Sequence, residues 1–433
     1  IQTGLALLDQ NEHAATAFRF ANEAMYRQRI QSSYAKAVRQ GQKPDWAEID
    51  KAENHSWRTF QLAFLLINLP ALVDPTHPDR SGLVDLIWFP TGGGKTEAYL
   101  GVAACALALR RLQPQLGNRA SHVGIGVLMR YTLRLLTLQQ FQRAAALICA
   151  CEVIRRANPA QWGSEPFRIG LWVGSNTTPN RTQDADEAIK STRTPNGRPT
   201  GKGSPHQLTN CPWCGNPLDP GKDIEVEPFE SGRGRTLVYC SDNKGHCPFG
   251  HRHSPGEGLP VLTVDEEIYR LLPALLIATV DKFAQMPWNG RTAMLFGQVT
   301  GRCERHGFRS PELGDSDSHP ANTKSRLPAA RTLPQGPLRP PDLIIQDELH
   351  LISGPLGSLV GLYETAVDRL CTWELNGQWI RPKVIASTAT IRQAEAQVHG
   401  LFDRTLNIFP PQGLEVGDNF FSRQRPTGDG PEA

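Results

Sequence analysis

The sequence lacks any run of eighteen apolar residues, so no membrane-spanning helix and no membrane partner are expected. It also lacks a strong charge bias. The 46 Lys and Arg residues against 43 Asp and Glu leave a net charge of +3, too small to argue for nucleic acid by itself. Cysteine is sparse, nine in 433 residues, which excludes a secreted disulfide scaffold. Four of the nine have metal spacing, which fits a reducing, cytoplasmic setting. The chain opens Ile1-Gln2-Thr3, with neither an initiator Met nor a signal-peptide pattern, and is expected to be a fragment or a trimmed chain. No internal repeat is present. What remains is ordinary for a soluble protein, 39% hydrophobic and 21% charged, and long enough for two or three domains.

Residues 1–50 read as amphipathic helices rich in Ala, Gln and Arg. Short apolar runs then recur at Val84–Phe89, Val123–Met129, Ile169–Val173, Leu275–Thr279, Leu343–Gln346 and Val384–Ala386, separated by helical patterns. That alternation predicts an α/β fold with a parallel, buried sheet, whose functional loops sit at the strands' carboxyl ends. Two stretches look inserted. Residues 178–258 carry the metal-like cysteines. Residues 303–341 hold seven prolines and no sustained apolar period, and are expected to be a mobile loop near a nucleic-acid path. The expected organisation is therefore a helical segment (1–50), a nucleotide-binding domain in three parts (51–177, 259–302, 342–400), the two insertions, and an exit linker (401–433).

The chemistry concentrates in a few places. Pro90-Thr91-Gly92-Gly93-Gly94-Lys95-Thr96 follows an apolar run and opens a helical pattern, as a phosphate-binding loop does. Its glycines let backbone N–H groups surround a triphosphate. Lys95 can reach the β- and γ-phosphates, and Thr96 can hold Mg²⁺. Phe89 occupies the first loop position, where Gly or Ala is usual. Asp347 and Glu348 end another buried run, with His350 two residues on. Asp347 is the candidate Mg²⁺ ligand and Glu348 the base that orients water. Ser387, Thr388 and Thr390 could link His350 to the γ-phosphate state. Arg58 and Gln61 precede the loop, and Gln61 is a candidate reader of the adenine edge, or simply a helix-surface residue.

Arg130, Thr132, Arg134 and Gln139, with Thr279 and Lys282, are candidate contacts to a sugar-phosphate backbone. Arg130 and Arg134 would share a helix face if the helix starts early. Cys211, Cys214, Cys240 and Cys247 pair as in a zinc ribbon, with His246, His251 or His253 as possible substitutes. Cys303-Glu304-Arg305-His306 has ligand spacing but no evident second pair, and reads as incidental.

The order of these segments resembles the first RecA-like domain of superfamily 2 helicases of the DExH type. The strings Trp88–Gly101, Val127–Ile148, Leu275–Trp288 and Ile344–Glu364 resemble the DrmA helicases of bacterial DISARM phage defence. The resemblance implies a RecA-like parallel sheet, use of ATP and Mg²⁺ alongside the Zn²⁺ of the cysteine motif, action on DNA, and a DrmB-like partner. An RNA helicase, or a nucleic-acid-binding scaffold switched by ATP, are the alternatives. Such helicases need a second RecA-like domain with arginine fingers. Motifs for one are not evident, so half of the ATP site is expected here.

Overall fold

A computed structural model describes residues 1–89, 92–132, 134–193, 203–228, 233–323, 327–388, 390–411, 413 and 418–423. Among these, eight strands form one sheet: β1 (Leu83–Trp88), β2 (Val127–Tyr131), β3 (Ile169–Trp172), β4 (Val261–Leu262), β5 (Leu275–Thr279), β6 (Leu343–Gln346), β7 (Lys383–Thr388) and β8 (Thr405–Phe409). Their order across the sheet is β8-β1-β7-β6-β2-β5-β3-β4. Every pairing is parallel. All six apolar runs of the sequence enter this sheet, because a parallel strand covered on both faces is mostly apolar. Successive side chains then divide between two cores. Leu128 and Ile344 face one layer, while Val127, Met129, Leu343 and Ile345 face the other.

The helices used below are α1 (Gln2–Gln10), α2 (Glu12–Arg39), α3 (Thr59–Val73), α4 (Lys95–Leu112), α5 (Arg134–Ala157), α6 (Thr182–Arg193), α7 (Asp265–Leu271), α8 (Gly354–Cys371) and α9 (Ala394–Phe402). Helices α2 to α5 cover one face, and α7, α8 and α9 the other. The N-terminal segment is part of the first layer. Asn11 caps α2 by accepting from Ala14 N at 2.9 Å. Buried Ala14, Ala17, Ala21 and Ala24 recur every three or four residues along α2, which packs on α4 and α5.

Buried charge ties the lower end of the sheet. Asp342, just before β6, meets Arg80 at 2.5 Å, Arg339 at 2.6 Å and Arg110 at 2.8 Å. Asp85 of β1 pairs with Lys383 of β7 at 2.6 Å.

Four expectations are corrected. The second strand starts at Val127 rather than Val123, leaving Gly124 and Gly126 before it. It runs to Tyr131 and α5 begins at Arg134, so Arg130 and Arg134 share no helix face. The described residues of the segment 303–341 are folded. Gly301–Cys303, Gly307–Arg309, Ala330–Pro334 and Ser318–His319 form an antiparallel sheet. Strands of two to five residues are too short to show apolar alternation. Phe308 and Leu338 are buried in the second core of the main domain. Finally, the exit linker does not begin at 401, since β8 is an edge strand paired with β1.

Candidate nucleotide-binding site and metal centre

Strands β1, β7 and β6 are neighbours, and their carboxyl ends converge. Trp88 of β1 lies beside Thr388 of β7, and Gln346 of β6 beside Ala386. The loop after β1 therefore faces both the Asp347-Glu348 pair and the Thr388 turn. Pro90 and Thr91 lie outside the described residues. Gly92 and Gly94 have φ of 81° and 95°, a region open to glycine. A Cβ on Gly94 would fall 2.7 Å from Gln61 Nε2. Gly94 caps α4, so Lys95 and Thr96 occupy its first turn, where free N–H groups and the helix dipole favour an anion.

The cleft is about 550 Å³ and is lined by Gly92–Glu97, Gln61, Asp347 and Glu348. Lys95 is buried, its ammonium donating to the Phe89 carbonyl at 2.5 Å. Burial lowers its pKa, against the opposing pull of Glu348 and Asp347. The Tyr99 hydroxyl lies 3.1 Å from Thr96 Oγ1 and donates to Asp347 Oδ2 at 2.9 Å. It thereby brings together the two residues singled out for Mg²⁺. Glu348 has φ 48° and ψ 50°, an uncommon backbone for this residue type. Burial raises its pKa and the Asp347 charge raises it further. His350 Nδ1 lies 3.1 Å from Thr388 Oγ1, which also accepts from Thr390 N at 3.2 Å. Ser387 is fully buried within β7.

Arg58 and Gln61 are in the site but engaged with the loop itself. Arg58 Nη1 donates to Gly93 O at 2.6 Å. Gln61 Nε2 donates to Gly94 O at 2.9 Å, and its Oε1 accepts from Arg58 N at 2.9 Å. The unusual Phe89 stacks on Phe60 of α3, ring centroids 3.8 Å apart. Helix and loop are thus fastened by both an aromatic pair and an amide clamp.

The expected nucleic-acid contacts divide. Thr132 and Thr279 end neighbouring strands, and their covered hydroxyls have no hydrogen-bond partner among the described residues. Arg130 is instead a core residue. It pairs with Glu364 of α8, between the rings of Phe283 and Phe402. Lys282 is 1% exposed and pairs with Asp265 at 2.7 Å. A cation after a strand looks available to phosphate; here burial and a carboxylate partner remove that availability. Gln139 lines this same cleft rather than a separate path. The side chain of Arg134 lies outside the described residues.

Several residues at the site carry no motif. Tyr99, buried beneath the cleft, is signalled only by its place three residues after Thr96 on the same helix. Tyr26, Asn22 and Trp57 have no such signal. Asn22 and Tyr26 line the cleft because α2 packs along α4, and Trp57 joins them there with its Nε1 donating to Asn22 Oδ1 at 2.6 Å.

In the first insertion, Cys211 Sγ and Cys247 Sγ are 3.9 Å apart, and Cys214 Sγ and Cys240 Sγ 3.3 Å. All four sulfurs lie within 4.8 Å of one another. Tetrahedral zinc with bonds of about 2.3 Å separates sulfurs by about 3.8 Å, so the cluster can hold zinc. None of His246, His251 and His253 belongs to it.

A parallel sheet with a glycine loop at one strand's carboxyl end, and an acidic pair facing it, is a RecA-like α/β fold. The chain is 41% identical over 430 residues to the DISARM protein DrmA of Bacillus paralicheniformis, which covers 98% of this chain and 37% of that protein. The resemblance to DrmA read from the sequence therefore holds along nearly the whole chain, which spans just over a third of that relative's length. No protein-family model matches. Two solved structures are distant neighbours. The DUF1998 helicase MrfA bound to DNA is 12% identical with a TM-score of 0.37, over 81% of this chain and 25% of that one. The DUF1998 helicase MrfA is 12% identical with a TM-score of 0.36, over 87% and 32%. Among the described residues no helix is long and apolar enough to cross a membrane.

Proposed function

We propose that this chain is the first RecA-like domain of an ATP-dependent DNA helicase or translocase of cytoplasmic antiphage defence, acting with a DrmB-like partner. One observation carries the reading. The phosphate loop and the Asp347-Glu348 pair line a single cleft, Tyr99 bridges Thr96 to Asp347 beneath it, and His350 joins Glu348 to Thr388. The similarity to the DISARM protein DrmA supports the defence setting.

The residues fit ATP with Mg²⁺. The loop presents N–H groups and a lysine to a polyphosphate, and Thr96 and Asp347 offer two oxygens to one cation. When bound, Mg²⁺ would neutralise phosphate charge. Lys95 leaves the Phe89 carbonyl for phosphate oxygens. Glu348 accepts a proton from water at its carboxylate, which its raised pKa makes a stronger base. His350 carries the state of the γ-phosphate side to Thr388, on the strand beside the loop. Thr132 and Thr279, at the carboxyl ends of neighbouring strands, would position a sugar-phosphate backbone without reading sequence once their covered hydroxyls are opened to it. A second RecA-like domain would supply the remaining half of the ATP site. The four cysteines hold a structural zinc, which gives folding energy to a small insertion.

The test is ATP turnover by the full-length protein with single-stranded DNA, with RNA and with neither. DNA-stimulated hydrolysis is expected, abolished by Lys95→Ala and Glu348→Gln, with Glu348→Gln still binding ATP. Near-normal turnover in either variant would sink the assignment. Stimulation by RNA alone would move it to an RNA helicase.

A further inference from the structure

We propose that Cys303, His306, Asp315 and His319 form a second zinc site, separate from the four-cysteine centre. One ligand atom from each lies within 4.8 Å of all the others. Cys303 Sγ is 3.8 Å from His306 Nδ1. Asp315 bridges the two histidines, with Oδ2 2.7 Å from His306 Nδ1 and Oδ1 3.2 Å from His319 Nε2. Zinc bonds of about 2.0–2.3 Å give tetrahedral edges of about 3.3–3.7 Å between N, O and S ligands. The observed separations bracket those edges, so small movements seat a cation.

The surroundings are those of a structural centre. Cys303, His306 and His319 are 1%, 2% and 6% exposed. Cys303 ends one strand and His306 precedes the next, making a knuckle in which His306 N donates to Cys303 Sγ at 3.4 Å. Gly307, at φ 90°, permits that turn. Asp315 and His319 come from the loop and strand on the other side of the small sheet, so the four ligands join both of its hairpins. One thiolate and one carboxylate would balance the charge of Zn²⁺ within this buried cluster, with two neutral imidazoles completing the set. The sheet needs such a staple, since its strands are two to five residues long and bury little by themselves. Arg233 from the first insertion reaches Asp315 Oδ1 at 2.9 Å and donates to Gly314 O at 2.7 Å. Arg233 directly precedes the strand Gly234–Val238, which ends two residues before Cys240, so the two centres brace one another.

The competing explanation is a metal-free network in which Asp315 serves Arg233 and both histidines as a hydrogen-bond hub. Zinc content and zinc K-edge absorption of the full-length protein, purified without chelator, separate the two. The proposal expects about two zinc ions per chain, with an average first shell of about 2.5 sulfur and 1.5 nitrogen or oxygen atoms. Cys303→Ser and His319→Ala should each remove one zinc and leave an all-sulfur shell. Should these variants be insoluble, the wild-type shell decides alone. One zinc with an all-sulfur shell, or zinc content unchanged in both variants, would overturn the second site. One zinc with a mixed shell would sustain it and fail the four-cysteine centre instead.

Discussion

Replacing Asp342 by Asn should destabilise the domain without touching the cleft. The carboxylate holds Arg80, Arg110 and Arg339 at 2.5–2.8 Å, and all four side chains are 5% exposed or less. Removing one partner of a buried ion pair costs about 3–5 kcal/mol, because a charge is left uncompensated. The lower end applies, since Arg110 also donates to the carbonyls of Ser121, Val123, Arg339 and Pro340, and Arg80 to those of Ala71 and Arg381. An unfolding entropy of about 2.1 cal/mol/K per residue gives roughly 0.9 kcal/mol per kelvin for a chain of this size. The Tm should then fall by about 3–4 °C. The loss also has a pH signature. Burial opposes ionisation of Asp342, yet Arg339, Arg80 and Arg110 outweigh it and hold the carboxyl well below the usual range. A depressed carboxyl pKa stabilises fully above the unfolded value of about 3.9 and loses that contribution as pH falls toward the folded one. The gap between wild type and Asp342→Asn should be constant from about pH 8 to 5 and narrower at about pH 3. Thermal melts across that range, with nucleotide affinity measured alongside, check both points. An unchanged Tm at neutral pH, or a gap that widens in acid, would refute the reasoning.

Tyr99→Phe removes a hydroxyl bonded to a carboxylate, an interaction of about 1.5–3 kcal/mol. The Mg²⁺ concentration for half-maximal hydrolysis should rise about tenfold, and an unchanged titration would show that the bridge does not position Asp347. Thr388→Val keeps the shape but loses the 3.1 Å contact with His350. The ratio of DNA-stimulated to basal turnover should drop about threefold to tenfold, and an intact ratio counts against coupling through this pair. Glu348 must be ionised to accept a proton, and burial and Asp347 raise its pKa. Activity should therefore fade with acid above the ordinary glutamate value of about 4.3; a limb at or below that value would exclude Glu348 as the group observed.

Local sequence determined a good deal of this protein. The six apolar runs specified a parallel sheet, because strands covered on both faces are mostly apolar, and the polar side chains they carry, such as Asp85, Arg130 and Lys383, need buried partners. Gly92–Thr96, Asp347-Glu348 and the order of Thr388 after them were legible because each depends on neighbours along the chain. So was the four-cysteine cluster, whose two pairs are each set by local spacing. Tertiary structure decided what depends on distant partners. Arg130 and Lys282 look like phosphate ligands until Glu364 and Asp265 are brought against them. The segment 303–341 reads as a loop because its strands are too short for a period, and Phe308 and Leu338 are buried by residues elsewhere in the chain. Cys303 and His306 look incidental because Asp315 and His319 come from a separate hairpin, joined only by the fold. The wall of the cleft formed by Asn22 and Tyr26 has no motif at all. It exists because an alanine seam lets α2 lie along α4, a packing consequence that spacing along the chain does not encode.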